Sequence, residues 1–382
     1  MTQSAQIWLC PERLFDGESL RSGMAVSARN GTVQAFSPIS DLPADARRLA
    51  LPGVLTPGFL DLQVNGGGNA LLNNDPSAQA MRVMAAAHRR FGTVAILPTV
   101  ITDAPEVMAR AVEAAVTVAG DPNILGLHIE GPHISLPRRG THAARFIRPL
   151  DDVTIGHVER LRAAGVAVKI TLAPEAVQKG QIARLAATGA IVSLGHTDTD
   201  SATVARALAE GARCFTHLYN AMSPMLNRAP GVTGAAINST AHCGFICDGH
   251  HVADAMLALA IRARPIADRM FLVSDAMATV GGSDRFRLYD QEVRLVDGRL
   301  VNAEGSLAGA HVTMAESLSR LILVVGVDPQ VALRMAVTVP AGLIGATDMA
   351  GLVGRRLEDL LILGPDWMPL STCSERLGAL AA

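Results

Sequence analysis

From about Val54 onward the chain alternates between two periodicities. Apolar, β-branched runs bounded by Gly, Pro, Asn or Asp give way to Ala-rich stretches with helical spacing. Eight runs read as strands: "VLTPGFLDLQVN", "TVAILPTV", "ILGLHIEG", "VAVKITLAP", "AIVSLGHT", "ARCFTHLYN", "CGFICDGHH" and "RMFLVSDAM". Between most of them lie helical stretches such as "SAQAMRVMAAAHRRF", "APEVMARAVEAAVTVAG", "KGQIARLAATG" and "DSATVARALAEG". Eight strands with helical crossovers predict an α/β fold, a parallel (β/α)8 TIM-like barrel. Continuous apolar strands fit a sheet covered on both faces.

The two ends break this rhythm. Residues up to about Leu51 hold short strand-like pieces, among them "MAVSARNGTVQAF" with "RNG" as a turn signal, and "LEDLLILGPDW" near the other end is again strand-like. Residues 1–53 and 350–382 are therefore expected to meet in a small β-sandwich beside a barrel of residues 54–349. "FRLYDQEVRLVDGRLV" reads as a hairpin inserted after strand eight, turning at Asp297-Gly298.

Composition narrows the function classes. The 382 residues are 49% hydrophobic, enough for a large core. A formal net charge of -2 gives no basic field for nucleic acid or an anionic membrane surface, and 3% aromatics offers few platforms for stacking bases. The five cysteines, Cys10, Cys214, Cys243, Cys247 and Cys373, are scattered and odd in number, which reads as free thiols in a reducing compartment. "CGFIC" reads as two buried strand thiols. The start, "MTQSAQIWLCPERLFDGESL", has neither a basic beginning nor a long apolar stretch, and no apolar run approaches the roughly 20 residues that span a bilayer. A cytoplasmic protein is expected.

In such barrels the active site is built at the C-terminal ends of the strands. Strand one ends in Gln63 and Asn65, strand three in Glu130, strand five in His196, strand six in His217, strand seven in Asp248, Gly249, His250 and His251, and strand eight in Asp275. Glu130, His196 and His217 form a carboxylate-plus-two-imidazoles set. Three such ligands with an open position suit a catalytic divalent metal, zinc first, with iron, cobalt or manganese as alternatives. Asp275 is then placed to take a proton from a water and return it to a leaving nitrogen. Singly, each residue has a plainer reading, as core histidine or ion-pair partner; convergence on one rim favours the metal site. His128 lies one inward layer below Glu130 and reads as packing or ligand support. His133 and His142 lie in the loop beyond, and His142 could aim at a substrate carbonyl. Lys169 sits below the rim, where a buried or bottom-layer ion pair is the expectation.

These residues resemble the amidohydrolase superfamily and, within it, the N-acetylglucosamine-6-phosphate deacetylases. The matching stretches are "TPGFLDLQVNGGGN", "GLHIEGPHISLPRRGTH", "VKITLAPE", "VSLGHTDT", "FTHLYNAMSPMLNRAPG", "DGHHV", "VSDAM" and "GSLAGA". The resemblance implies removal of acetate from an N-acetylhexosamine 6-phosphate, in a small-molecule enzyme that is often a homodimer. It implies Glu130, His196 and His217 as metal ligands and Asp275 as acid/base. It also implies His142, beside Thr141, at the acetamide carbonyl, and Asn220 and Ala221 as substrate-binding backbone. Arg228 and His251 would contact the sugar phosphate, with Asp248 and Gly249 lining the same turn. Leu307, Ala308 and Gly309 would border the acetyl group. A guanidinium suits phosphate because its planar fork donates two hydrogen bonds.

One position departs from part of that superfamily. Where many members carry His-x-His, binding a second metal, this chain reads Gln63-Val64-Asn65. An amide is a much poorer zinc ligand than imidazole, so one metal per chain is expected. "NGGGN" is then expected to be a flexible loop, since it lacks the Lys and Ser/Thr of a phosphate cradle. Other readings are the galacto epimer as substrate, a metal-dependent amidohydrolase of cyclic amides, and a non-catalytic sugar-phosphate-binding barrel.

Overall fold

The structure is a computed structural model that describes residues 6–302, 305 and 307–381. Eight strands form the central sheet: β1 (Phe59–Val64), β2 (Thr93–Ile101), β3 (Gly126–Glu130), β4 (Ala167–Leu172), β5 (Ile191–Leu194), β6 (Cys214–Phe215), β7 (His242–Phe245) and β8 (Met270–Leu272). Each pairs in parallel with its neighbour in that order. The seam between β8 and β1 closes just beyond their ends. Val64 bridges Ala276 in parallel, and the Asp275 amide donates to the Gln63 carbonyl at 3.0 Å. The chain is thus an α/β barrel of eight parallel strands, and all eight runs legible in the sequence are its strands.

The first run does not behave as one strand. It breaks at Gly58 into the end of Arg48–Pro57, which belongs to another sheet, and β1. A Cβ at Gly58 would lie 2.1 Å from Val94 Cγ1, so glycine lets the chain pass against β2 there. The other sheet gathers both ends of the chain. Its path runs Pro369–Thr372, Leu360–Leu363, Arg48–Pro57, Ile7–Phe15, Met24–Arg29 and Thr32–Pro38, with Leu20–Ser22 beside Ile7–Phe15. It has its own apolar cluster, including Leu9, Leu55, Leu360 and Ile362. The insert after β8 is a four-stranded antiparallel sheet of Arg285–Leu288, Gln291–Val296, Arg299–Val301 and Leu307–Ala310, turning at Asp297 and Gly298 as expected, both with positive φ.

Helices fill the crossovers where caps and periodicity ask for them. Ser77 caps Ala78–Arg89, Asp200 caps Ser201–Ala209, and Thr313 with Glu316 closes a capping box on Met314–Leu323. Their apolar faces pack on the barrel in one large cluster.

The barrel interior below the rim is polar and hydrogen-bonded. His128 lies between Thr99 Oγ1 (3.1 Å) and Thr171 Oγ1 (2.7 Å), and Thr216 Oγ1 joins Thr171 (2.7 Å) to Ser193 (2.6 Å). Every partner is buried, which is how a buried polar layer avoids its desolvation cost. Asp61, also buried, accepts the backbone N–H groups of Gln63 and Ser274 across the seam, and burial pushes its carboxyl up to about 7.

The "NGGGN" stretch is ordered rather than flexible. Gly66–Gly67 pairs with Ala70–Leu71, and His88 Nε2 lies 2.9 Å from the Gly66 carbonyl. A Cβ at Gly66 would fall 2.5 Å from Ala70 O, so glycines are there for close approach.

Gly126 opens the strand that ends in Glu130. Its φ is +149°, and a Cβ would lie 2.0 Å from the Ala167 carbonyl oxygen on β4. Gly126→Ala should lower stability by about 2–4 kcal/mol through strain and strand separation, read as a drop in urea midpoint with unchanged slope.

Candidate active site

Three strand ends bring Glu130, His196 and His217 to one point, all buried. His217 Nε2 is 3.0 Å from Glu130 Oε1, His196 Nε2 is 3.3 Å from the same oxygen, and the two Nε2 atoms are 3.1 Å apart. Two ligands at 2.0–2.1 Å from a tetrahedral ion stand roughly 3.3 Å apart, so these spacings fit one small divalent cation. The tautomer fits as well. His196 Nδ1 is 2.8 Å from the Arg138 carbonyl, which can only accept, so the proton sits on Nδ1 and the Nε2 lone pair faces the cluster. Burial would raise the Glu130 carboxyl, but the His196 and His217 imidazoles against its Oε1 hold it well below the usual carboxylate range. His142 is a fourth group here: one nitrogen of it lies within 4.8 Å of ligand atoms of Glu130 and His196. Its Nδ1 is engaged with Thr102 Oγ1 at 2.7 Å, and its ring leans on His196 with centroids 4.4 Å apart. The Glu130, His196 and His217 set is the tighter and could hold the ion.

The backbone at these positions is unusual. His196, His217 and Asp275 all have positive φ (50°, 33° and 52°), a region that L side chains rarely adopt. Each follows the last residues of its strand, so the chain turns sharply and aims the side chain over the barrel mouth. Gly195 permits the turn before His196, since a Cβ there would lie 2.9 Å from both Thr171 and Thr216.

Asp275 is fixed from the side of β1. Its Oδ1 accepts from Asn65 Nδ2 (2.7 Å) and Gln63 Nε2 (3.0 Å). The same Gln63 Nε2 donates to both oxygens of Glu130, at 3.1 and 3.2 Å. Burial and the Glu130 charge raise the Asp275 carboxyl above its ordinary value. The two amides that replace His-x-His therefore act as donors to carboxylates.

A cavity of about 180 Å³ opens above this cluster. Of the residues singled out in the sequence, it is lined by Asn65, Glu130, Thr141, His142, His196, His217, Asn220, Ala221, His251, Asp275, Leu307 and Gly309. Five others lie elsewhere. Ala308 is buried in the core of the inserted sheet, as the strand's alternation requires. Asp248 and Gly249 shape the turn beneath His251: Asp248 Oδ2 is 2.6 Å from His251 Nδ1, and its Oδ1 accepts the His250 and His251 amides. His250 is exposed and packs beside Gly298 of the insert. Arg228 is exposed on the loop before Gly231–Asn238, outside the lining and without an ion pair among the described residues. The sequence reading missed Ile101, Ile246 and Met277, apolar walls of the cavity, and Thr102, which anchors His142.

No protein-family model matches the chain. It is 40% identical over 324 residues to the N-acetylgalactosamine-6-phosphate deacetylase of Shewanella sp. (strain ANA-3), covering 82% of this chain and 80% of that one. The N-acetylglucosamine-6-phosphate deacetylase of Haemophilus influenzae is 30% identical over 357 residues, covering 91% and 92%. The chain belongs to the amino-sugar-6-phosphate deacetylases of the amidohydrolase superfamily. Among solved structures, the N-acetylglucosamine-6-phosphate deacetylase of Pasteurella multocida superposes with a TM-score of 0.88 at 32% identity, covering 96% of this chain and 98% of that one. The deacetylase from Mycobacterium smegmatis gives 0.84 at 29%, covering 95% and 97%. Deacetylase-family membership thus agrees with the sequence resemblance, and no helix among the described residues is long and apolar enough to cross a membrane.

The Asp248–His251 pair generates a pH prediction. Burial would raise the Asp248 carboxyl, but the His251 contact lowers it from 3.8 to about 2. A lowered acid stabilises the fold above its unfolded value and loses that contribution as pH falls from about 4 to about 2. Asp248→Asn, which keeps an acceptor for the two amides, should lose about 2 kcal/mol at pH 7 and about half of that at pH 3, read by urea unfolding at both.

Proposed function

We propose that this chain is a metal-dependent deacetylase that hydrolyses the acetamide of N-acetyl-D-glucosamine 6-phosphate to glucosamine 6-phosphate and acetate. The observation that carries it is the convergence of Glu130, His196 and His217 beside an Asp275 held by two amides, in a cavity of about 180 Å³. The N-acetylgalactosamine 6-phosphate epimer is the second reading, supported by the 40% identity to the Shewanella enzyme. When bound to the three ligands, a divalent metal, zinc first, would polarise the acetamide carbonyl and lower the pKa of a water to about 7.

This chain's own residues do the rest. Asp275 has Oδ1 tied to Gln63 and Asn65, which leaves Oδ2 to take the proton of the attacking water and return it to the departing nitrogen. Burial keeps His142 well below its ordinary value and so neutral. His142 Nδ1 lies 2.7 Å from Thr102 Oγ1; in this reading the hydroxyl donates, which puts the ring proton on Nε2, available to the carbonyl oxygen. Asn220 and Ala221 offer backbone to the sugar, and Leu307 and Gly309 enclose the acetyl group. His251, oriented by Asp248, and Arg228 on its exposed loop are the phosphate contacts in this reading. The enzyme acts in the cytoplasm as a homodimer, with one unit of residues 54–349 and a second of residues 1–53 and 350–382.

Acetate release should be measured from both N-acetylhexosamine 6-phosphates and from the unphosphorylated sugars, with metal content taken on the same sample. Turnover of a phosphorylated sugar, with one divalent ion per chain, is expected. Arg228→Ala should narrow the preference for phosphate; full preference in that variant would show Arg228 misassigned. Activity on cyclic amides alone would overturn the substrate class.

Asp275→Asn tests the acid/base role separately. A positioned acid/base contributes typically 10²–10⁴-fold, and one group serves both steps here, so kcat should fall by at least the upper end of that range. Metal should stay bound, because the three ligands are untouched. Near-normal kcat at full metal occupancy would rule the role out.

A further inference from the structure

Lys169 is one of only two lysines in the chain, and its side chain is completely buried. The expected ion pair is absent among the described residues. Its Nζ instead donates to Gln63 Oε1, at 3.4 Å. Cross-strand register puts Lys169 level with His128, two residues below the level of Glu130 and Thr171. From there only a long side chain reaches up to the amide. A shorter cation would leave its charge in the layer of Thr99, Thr171 and Ser193.

The contact has a direction. An amide has one acceptor end and one donor end. Gln63 turns its oxygen to the Lys169 ammonium and its nitrogen to three carboxylate oxygens, two on Glu130 and one on Asp275. Turned over, it would set its oxygen against both carboxylates and its NH2 against an ammonium. Lys169 thus locks the amide from below. Its charge also polarises the amide, which strengthens the N–H donors on the far side. A buried ammonium is costly, and a packed apolar residue would fill the same space without that cost.

We propose that Lys169 is a positioning residue for deacetylation: acting through Gln63, it holds Glu130 and Asp275 in their working geometry. The proposal rests on the deacetylase reading above.

The test is a double-mutant cycle on the holoenzyme. Lys169→Met fills the space without charge, and Gln63→Met removes the link. Each should retain its metal and its circular dichroism, change KM less than about threefold, and lower kcat by about 10–100-fold, the usual effect of losing a group that supports a ligand. Because both break one connection, the double variant should be within about threefold of the slower single variant. A Lys169→Met enzyme with wild-type kcat overturns the proposal, as do losses that multiply in the double variant or a kcat loss that matches metal loss. If Lys169→Met does not fold, Gln63→Met decides, since wild-type kcat there removes the link through which Lys169 acts. Failure of the deacetylase reading looks different: the unaltered enzyme itself would release no acetate from either N-acetylhexosamine 6-phosphate.

Discussion

Two carboxylates buried at one barrel mouth repel each other unless donors stand between them. Here the donor is a single amide nitrogen, Gln63 Nε2, within 3.2 Å of three oxygens of Glu130 and Asp275. Much else at the rim depends on that arrangement. It leaves Glu130 Oε1 facing the two imidazoles and turns Asp275 Oδ2 away from β1. Asn65 adds a second donor to Asp275 at 2.7 Å. The residues that make the chain look deficient in metal ligands are those that let the carboxylates of Glu130 and Asp275 share a small space.

The amides are in place because of how the barrel closes. The β8–β1 seam has few ladder hydrogen bonds of its own, and the chain completes it with Asp275 N to Gln63 O, Asn65 N and Gly66 N to Ala276 O, and the buried Asp61 beneath. The same contacts that shut the barrel therefore fix the distance between Gln63 and Asp275. The inserted sheet adds a further hold, because Ala310 N donates to the Asp275 carbonyl at 3.0 Å. Left-handed backbone at His196, His217 and Asp275 stores strain at the strand ends, and strain of this kind persists only where surrounding structure over-determines it. The glycine-lined turns and the hydrogen-bonded polar floor supply that determination.

How far this was legible beforehand follows from which signals are local. Strands and crossover helices show through periodicity, so all eight barrel strands could be read. Glu130, His196, His217 and Asp275 could be singled out because polar side chains at the ends of buried strands are chemically out of place. What failed depended on partners far apart in sequence. Gln63 read only as a poor ligand, since its use as a donor appears when β3, β4 and β8 are beside it. "NGGGN" read as flexible because glycine marks both freedom and close approach, and only the neighbouring 276–280 segment separates them. Ala308 was grouped with Leu307 and Gly309 by adjacency, although strand alternation sends it to the opposite face. Arg228 is a different case: its loop is exposed on this chain, and its phosphate role rests on the resemblance alone.

Charge completes the argument for why a lysine and an amide belong together under this site. Removing an imidazole pair from strand one removes the means to hold a second cation, yet Glu130, Asp275 and Asp61 all remain buried near the mouth. Some positive charge must still offset them. An ammonium set directly among the carboxylates would pair with Glu130 and Asp275 and take up the oxygens that their proposed roles need. Placed one layer down and coupled through Gln63, Lys169 supplies its charge across the amide while only neutral N–H groups touch the carboxylates. The amide thus transmits the charge and insulates the site from the ion that carries it.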